Sequence, residues 1–228
     1  MTGATVALVN WMIMGLAAVF FDMDGLLVDT EPLWFETEVS VTRRLGGGPW
    51  TSADQEALLG GSLERTVAYL LARASRPVPA ATLATWIMDD ITDRVRASGA
   101  PVRPGARELL DSLHNDAIPV ALVTSSQREF MDAVLSSTGF RFSVTVCAQD
   151  VAATKPSPDP YLLAAKLMGV SPASCVVLED SPNGVAAGEA AGCQVVAVPS
   201  FIPISPAPGR MVVSSLSDLT PELLRSLV

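Results

Sequence analysis

Four acids, a run of hydroxyls and one lysine fall just after short apolar runs in this sequence. Asp22 and Asp24 follow Ala17–Phe21, and Thr124, Ser125 and Ser126 follow Pro119–Val123. Lys155 lies beyond Val144–Cys147, and Glu179 and Asp180 follow Cys175–Leu178. In an extended segment residues two apart point to the same side, so Asp22 and Asp24 can flank one reacting atom. One can attack it while the other exchanges a proton with the arriving or departing oxygen. Asp22, Asp180 and Glu179 supply the hard oxygens that Mg²⁺ prefers while it keeps water and a phosphate oxygen in its shell. Thr124 offers a hydroxyl, Lys155 a point charge, and backbone N–H groups near Gly25 and Ser125 complete a cradle for negative oxygens. The chemistry this set suits is phosphoryl transfer. Each part alone is weak: a lone Asp-x-Asp is usually a solvated loop, and a lone Lys155 reads as an exposed loop lysine. Lys155 is one of only two lysines in the chain, the other, Lys166, being expected on a helix surface. The elements that hold these residues decide whether they meet.

The apolar runs named above, with Gln194–Val198 and a weaker Met211–Val213, are β-branched and of the length of buried strands. Helical patterns lie between them at Ala106–Asn115, Glu129–Ser137, Pro160–Met168 and Gly184–Ala191. Asp159-Pro160 is a helix start, and Gly139, Gly169 and Gly192 are stops. This rhythm predicts an α/β fold, a Rossmann-like parallel sheet with helices on both faces and its ligands beyond the carboxyl ends of the strands. The rhythm breaks between residues 33 and 100, where helical patterns follow one another at Leu33–Leu45, Ala53–Leu59, Ser62–Ala74 and Ala80–Ala97. A break that long is no loop, so an all-helical domain is expected at 33–100, inserted into a core made of 15–32 and 101–228. The connectors near Thr30 and Pro101–Pro104 are the expected hinges, and the Gly46–Gly48 cluster is a loop.

Composition removes whole classes of function. Fifteen Lys and Arg against 24 Asp and Glu leave a formal charge of −9 on 228 residues, which excludes indiscriminate binding to nucleic acid. At 49% apolar and 17% charged, the chain has the composition of a packed globular protein. The apolar stretch Ala4–Phe21 is long enough for a membrane span, yet the sequence has no Lys or Arg before Arg43, and the stretch ends in charged Asp22 and Asp24. Its end is therefore expected to be a buried strand, with no membrane contact. Residues 1 to about 14 are expected to be a loose lead-in, with Met12 and Met14 as alternative starting points. Three scattered cysteines, Cys147, Cys175 and Cys193, make no disulfide framework and favour the reducing cytoplasm. The single histidine, His114, sits on the polar side of a helical pattern and is expected at the surface. A monomer is the default expectation.

The four strand-end segments together are similar to the four motifs of the haloacid dehalogenase superfamily: Asp22-Met-Asp24-Gly25-Leu-Leu-Val-Asp29-Thr30-Glu31, Thr124-Ser125-Ser126, Lys155-Pro156, and Glu179-Asp180-Ser181-Pro182-Asn183-Gly184. The resemblance runs from about residue 17 to 200. It implies a Rossmann-like core with a helical cap inserted after the first motif. It also implies Asp22 as nucleophile, Asp24 as general acid and base, and Thr124 and Lys155 on the phosphate. Mg²⁺ would be held by Asp22, the Asp24 carbonyl oxygen, Asp180 and Glu179. Gly25, Ser125, Ser126 and Asn183 are the further phosphate-binding candidates. Asp24 argues for phosphate esters over carbon–halogen bonds, since dehalogenases of the family lack it. Within the superfamily the chain resembles the subgroup of β-phosphoglucomutase and the sugar-phosphate phosphatases. Mutases of that subgroup have a histidine where Trp34 stands and an arginine where Leu63 stands, so the resemblance favours a Mg²⁺-dependent phosphatase acting on a small sugar phosphate through an aspartyl-phosphate. The alternatives are a sugar-phosphate mutase and, more remotely, a non-catalytic phosphate-ligand sensor. Trp34 and Arg65 are the candidates for substrate contact from the cap, each with a plainer alternative as a core tryptophan and a solvated helix arginine.

Overall fold

The computed structural model describes residues 15–58 and 62–228. The expected lead-in of residues 1–14 lies outside the described residues. The first strand, β1 (Ala18–Phe21), is buried at every position. Helices α1 (Glu31–Arg44), α2 (Ser52–Leu58), α3 (Leu63–Arg73) and α4 (Ala80–Ser98) follow with no strand among them in the described residues. The alternation then resumes with α5 (Ala106–Asn115), β2 (Val120–Val123), α6 (Arg128–Thr138), β3 (Val144–Val146) and α7 (Asp159–Met168). It ends with β4 (Cys175–Glu179), α8 (Pro182–Ala190), β5 (Gln194–Ala197), β6 (Arg210–Val212) and α9 (Pro221–Arg225).

The strands form one sheet in the order β3-β2-β1-β4-β5-β6, with every pair parallel. Parallel strands buried on both faces read as continuous apolar runs. The period of two sorts them: Val19, Phe21, Val120, Leu122, Val176 and Leu178 join one core cluster, and Ala18, Phe20, Ala121, Val123, Cys175 and Val177 join another. The first is covered by α5, α6 and α9 through Leu109, Leu113, Phe130 and Leu224. The second is covered by α7 and α8 through Tyr161, Ala164, Val185 and Ala187, with the Tyr161 ring stacked on Phe20 at 6.3 Å. A Cβ on Gly188 would lie 3.1 Å from both Val177 and Val195, so this glycine sets how closely α8 approaches the sheet.

The helices α1, α3 and α4 enclose a third cluster of their own, Val41, Leu45, Val67, Leu70, Leu83 and Ile87. They also dock on the sheet's first layer, because α4 contributes Ile91 and Val95 to that layer's core and the Trp34 ring lies 6.4 Å from Phe130. Helix α1 starts at Glu31, two residues before the expected start, since Pro32 needs no N–H partner in the first turn. Expected surface residues His114 and Lys166 are exposed, and Cys147, Cys175 and Cys193 are buried and unpaired. Among the described residues no helix is long and apolar enough to cross a membrane. The chain leaves β1 for β2 and β3 on one side and returns to β4, β5 and β6 on the other. The crevice at that reversal opens at the carboxyl ends of β1, β2 and β4.

Candidate active site

The reversal point gathers the residues that the strand ends carry. Asp22 is the first residue after β1, its N–H donating to Leu178 O of β4 at 3.1 Å. Glu179 closes β4 with 0% exposure and Asp180 follows it. One carboxylate oxygen each of Asp22, Glu179 and Asp180 lie within 4.8 Å of one another. Into this acidic group reaches Lys155, from the loop between β3 and α7. Its Nζ donates to Asp22 Oδ1 at 2.5 Å, Glu179 Oε1 at 2.6 Å and the Val123 carbonyl at 2.7 Å. Lys155 is therefore no exposed loop lysine: its side chain is 5% exposed and all three of its donors are used.

Two hydroxyls hold the second aspartate. Thr30 donates to Asp24 Oδ1 at 2.8 Å and Ser126 to Asp24 Oδ2 at 2.7 Å. Sequence reasoning placed Ser126 near a phosphate, and its hydroxyl is instead bonded to a carboxylate 102 positions away in the chain. The Gly25 N–H, also expected to face a phosphate, donates to the Val28 carbonyl at 2.8 Å and closes the turn after β1. What Gly25 supplies is room: its φ is +85° and a Cβ there would lie 2.0 Å from Asp180 Oδ2. Gly184 does the same on α8, where a Cβ would lie 1.9 Å from the Glu179 carboxyl. Three further hydroxyls support the acids, and only Ser181 stands in a motif that the sequence exposes. The Tyr161 hydroxyl donates to Glu179 Oε1 at 2.6 Å, Ser181 to Glu179 Oε2 at 3.3 Å, and Ser200 to Asp180 Oδ2 at 2.5 Å.

Burial dominates the electrostatics. It raises the Asp22 pKa well above the usual carboxylate value against the pull of Lys155, and it raises Asp24 against the hydrogen bonds from Ser126 and Thr30. Burial, with the Glu179 charge behind it, lifts Asp180 to about 7. Burial works against the Lys155 ammonium, but the Asp22 and Glu179 carboxylates outweigh it and hold its pKa above the ordinary lysine value. Four acids thus share one ammonium. Three hard oxygen donors, clustered, buried and short of positive charge, fit a divalent cation.

A cavity of about 400 Å³ opens from this cluster toward α1 and α3. Thr124, Ser125, Ser126, Lys155 and Asn183 line its sheet side and Trp34, Glu38, Leu63 and Thr66 its helical side. Thr124 is 2% exposed, and its Oγ1 accepts from the Ser126 N–H at 3.0 Å. Trp34, expected as a contact from the helical side, is in the lining, whereas Arg65 is exposed and outside it.

A family model for haloacid dehalogenase-like hydrolases matches residues 16–192. Hexitol phosphatase B of Escherichia coli (strain K12) is 32% identical over 219 residues, which is 90% of this chain and 95% of that protein. The crystal structure of CbbY from Rhodobacter sphaeroides in complex with phosphate superposes with a TM-score of 0.80 at 27% identity, over 92% of this chain and 99% of that one. A putative β-phosphoglucomutase from Thermotoga maritima superposes with a TM-score of 0.74 at 29% identity, over 90% of this chain and 97% of that one. The sheet order, the acids at its strand ends and these matches agree: the chain belongs to the haloacid dehalogenase-like hydrolases, in the subgroup of β-phosphoglucomutase and the sugar-phosphate phosphatases.

Proposed function

We propose that this protein is a Mg²⁺-dependent phosphatase that hydrolyses a small sugar phosphate through an aspartyl-phosphate on Asp22. The observation that carries the reading is the pairing of a buried, lysine-bonded Asp22 with Asp24 two residues on, at the mouth of a cavity sized for a small ligand. Asp22, Glu179 and Asp180, with the Asp24 carbonyl oxygen, would hold Mg²⁺, whose charge when bound draws negative charge from the phosphate oxygens.

The chain's own residues do the rest. Lys155 fixes the Asp22 carboxylate through Oδ1. Asp22 attacks phosphorus, a P–O bond to Asp22 forms, and the P–O bond to the leaving group breaks. Asp24 gives its proton to the departing oxygen, and its raised pKa suits it to carry that proton. Water then attacks the phosphorus and gives a proton back to Asp24, the P–O bond to Asp22 breaks, and phosphate leaves. Thr30 and Ser126 keep Asp24 aimed through both steps. Thr124, Ser125 and Asn183 are the further donors to the phosphate oxygens. Helices α1–α4, over 33–100, act as a cap that moves on the connectors near Thr30 and Pro101–Pro104 to admit substrate and exclude bulk water. Leu63, where mutases of the subgroup carry arginine, lines the cavity and supports hydrolysis over phosphoryl return to the substrate. The three buried, unpaired cysteines support action in the reducing cytoplasm, and a pocket closed by helices of the same chain supports a monomer.

The test is phosphate release from a panel of small phosphomonoesters, with Mg²⁺ and with EDTA, by the wild type and Asp22→Asn. Release that needs metal and Asp22 upholds the reading. Conversion of glucose 1-phosphate to glucose 6-phosphate on addition of a bisphosphate, without net phosphate release, replaces it with the mutase.

A further inference from the structure

Glu38 is a buried acid in the cavity that the chemistry above does not use. It lies on α1 one turn after Trp34, on the same face, and both line the cavity. The residue is 4% exposed, and among the described residues its Oε2 is buried with no hydrogen-bond partner. Burial, with the Glu31 charge behind it, raises its pKa to about 7, so the side chain is ionised above that pH. A buried carboxylate oxygen without a donor is costly, and such a group persists in a binding cavity when a ligand supplies the missing donor. The surroundings say what kind of ligand. Among the described residues that line the cavity, Lys155 is the only lysine or arginine, and its donors are spent at the phosphate end. The helical wall adds Glu31 and Glu64 beside Ser62 and Thr66. Arg65, between Glu64 and Thr66 in sequence, is exposed outside the lining. A second phosphate or a carboxylate on the substrate would meet the ionised Glu38 here, and no lysine or arginine among the described residues lines that end of the cavity.

We infer that Glu38 is a specificity-determining residue: it accepts a hydrogen bond from a hydroxyl of the leaving group, and the substrate's organic part is a polyol or sugar that carries no second anionic group. The inference rests on the phosphatase reading and narrows it. Rejection of the wrong substrate by an unpaired like charge is the stronger half of such selectivity, because a missing hydrogen bond and a repelled carboxylate both count against the competitor.

A matched pair at pH 8.5, where Glu38 is ionised, isolates the effect: glucitol 6-phosphate and gluconate 6-phosphate share a carbon chain and differ in a hydroxymethyl against a carboxylate. The wild type is expected to favour glucitol 6-phosphate in kcat/KM by about tenfold or more. In Glu38→Gln, which keeps the shape and removes the charge, that ratio is expected to narrow by about tenfold, the gain for gluconate 6-phosphate appearing mainly in KM. A wild-type ratio near one or below it, or an unchanged ratio in Glu38→Gln, overturns the assignment. The wild-type ratio decides by itself if the variant's thermal midpoint shows that it has not folded. 4-Nitrophenyl phosphate separates the two levels. A wild type that hydrolyses it yet prefers gluconate 6-phosphate loses only the Glu38 assignment, while one that hydrolyses no ester loses the phosphatase reading.

Discussion

Two buried acidic sites in this molecule sit in opposite circumstances. Asp54 of α2 is one carboxylate with four donors: the Thr51 N–H and hydroxyl at 2.7 Å each, and the Tyr69 hydroxyl and Arg73 guanidinium at 2.5 Å each. It and Thr51 cap α2 reciprocally, since the Asp54 N–H returns a bond to the Thr51 hydroxyl. The Tyr69 hydroxyl, with the Thr51 bonds behind it, holds the Asp54 pKa down at about 2. At the sheet edge four carboxylates share Lys155 and a few hydroxyls, and burial holds Asp22, Asp24 and Asp180 high. Oversupplied with donors, Asp54 fastens α2 to α3. The cluster at the sheet edge is bonded across elements but short of donors, and under the proposed function a ligand meets its unmet charge, at a cost in stability that function retains.

The sharpest way to break this contrast is Asp22→Asn. It is expected to lower phosphatase kcat by at least about a thousandfold while leaving the metal-free protein as stable as the wild type or more so, because it removes a crowded charge. A parallel loss of thermal midpoint would make the site as structural as Asp54. Next in size, Lys155→Met takes the shared ammonium from two buried carboxylates and is expected to cost about 3–5 kcal/mol in urea unfolding at pH 8.

The pH dependence separates the two regions by sign. Asp180 has a folded pKa of about 7 against an ordinary 3.8, so the folded state binds more protons between those values and metal-free stability falls as pH rises through that window. Asp54, lowered from 3.8 to about 2, contributes stability that is complete above the ordinary value and lost as pH falls through about 2. Thermal midpoints across pH are expected to show both slopes. Asp54→Asn should flatten the acid one and leave kcat/KM unchanged, and saturating Mg²⁺ should remove the Asp180 part of the other and leave the part from Glu38, which burial raises from 4.5 to about 7. The smallest effect belongs to Ser200→Ala. It removes a donor to the charged form of Asp180 and is expected to cost about 1 kcal/mol at pH 8 and nothing at pH 5 in the metal-free protein.

The difference between the two regions is also a difference in what the sequence displays. The strands and their order along the chain were legible because parallel strands must be apolar on both faces, and the acids stood out where those runs stop. Lys155 was legible only through its neighbours in the pattern, since a lone lysine after Thr154 looks solvated; burial at 5% exposure is a product of the fold. Which acids the tuning hydroxyls meet is not legible, even for Ser126, which stands in a motif. Ser126 reaches Asp24 across β1 and β2, Tyr161 reaches Glu179 from α7, and Ser200 reaches Asp180 after β5, all contacts set by strand order. The sequence displays Gly25 as a backbone donor, although its missing side chain is what the site uses. Glu38 is hidden within a helical pattern, because nothing local distinguishes a buried glutamate on an amphipathic helix from a solvated one. Asp54 hid in the same way, with Tyr69 and Arg73 arriving from the next helix.

The central claim is that phosphate passes through Asp22, which makes hydrolysis two successive displacements at one phosphorus. The stereochemical course of that reaction, followed with a phosphomonoester made chiral at phosphorus by isotopic labelling, tests it most directly. Two in-line displacements predict retention of configuration in the released phosphate. Inversion would mean that water attacks the substrate directly, and the role assigned to Asp22 would fall.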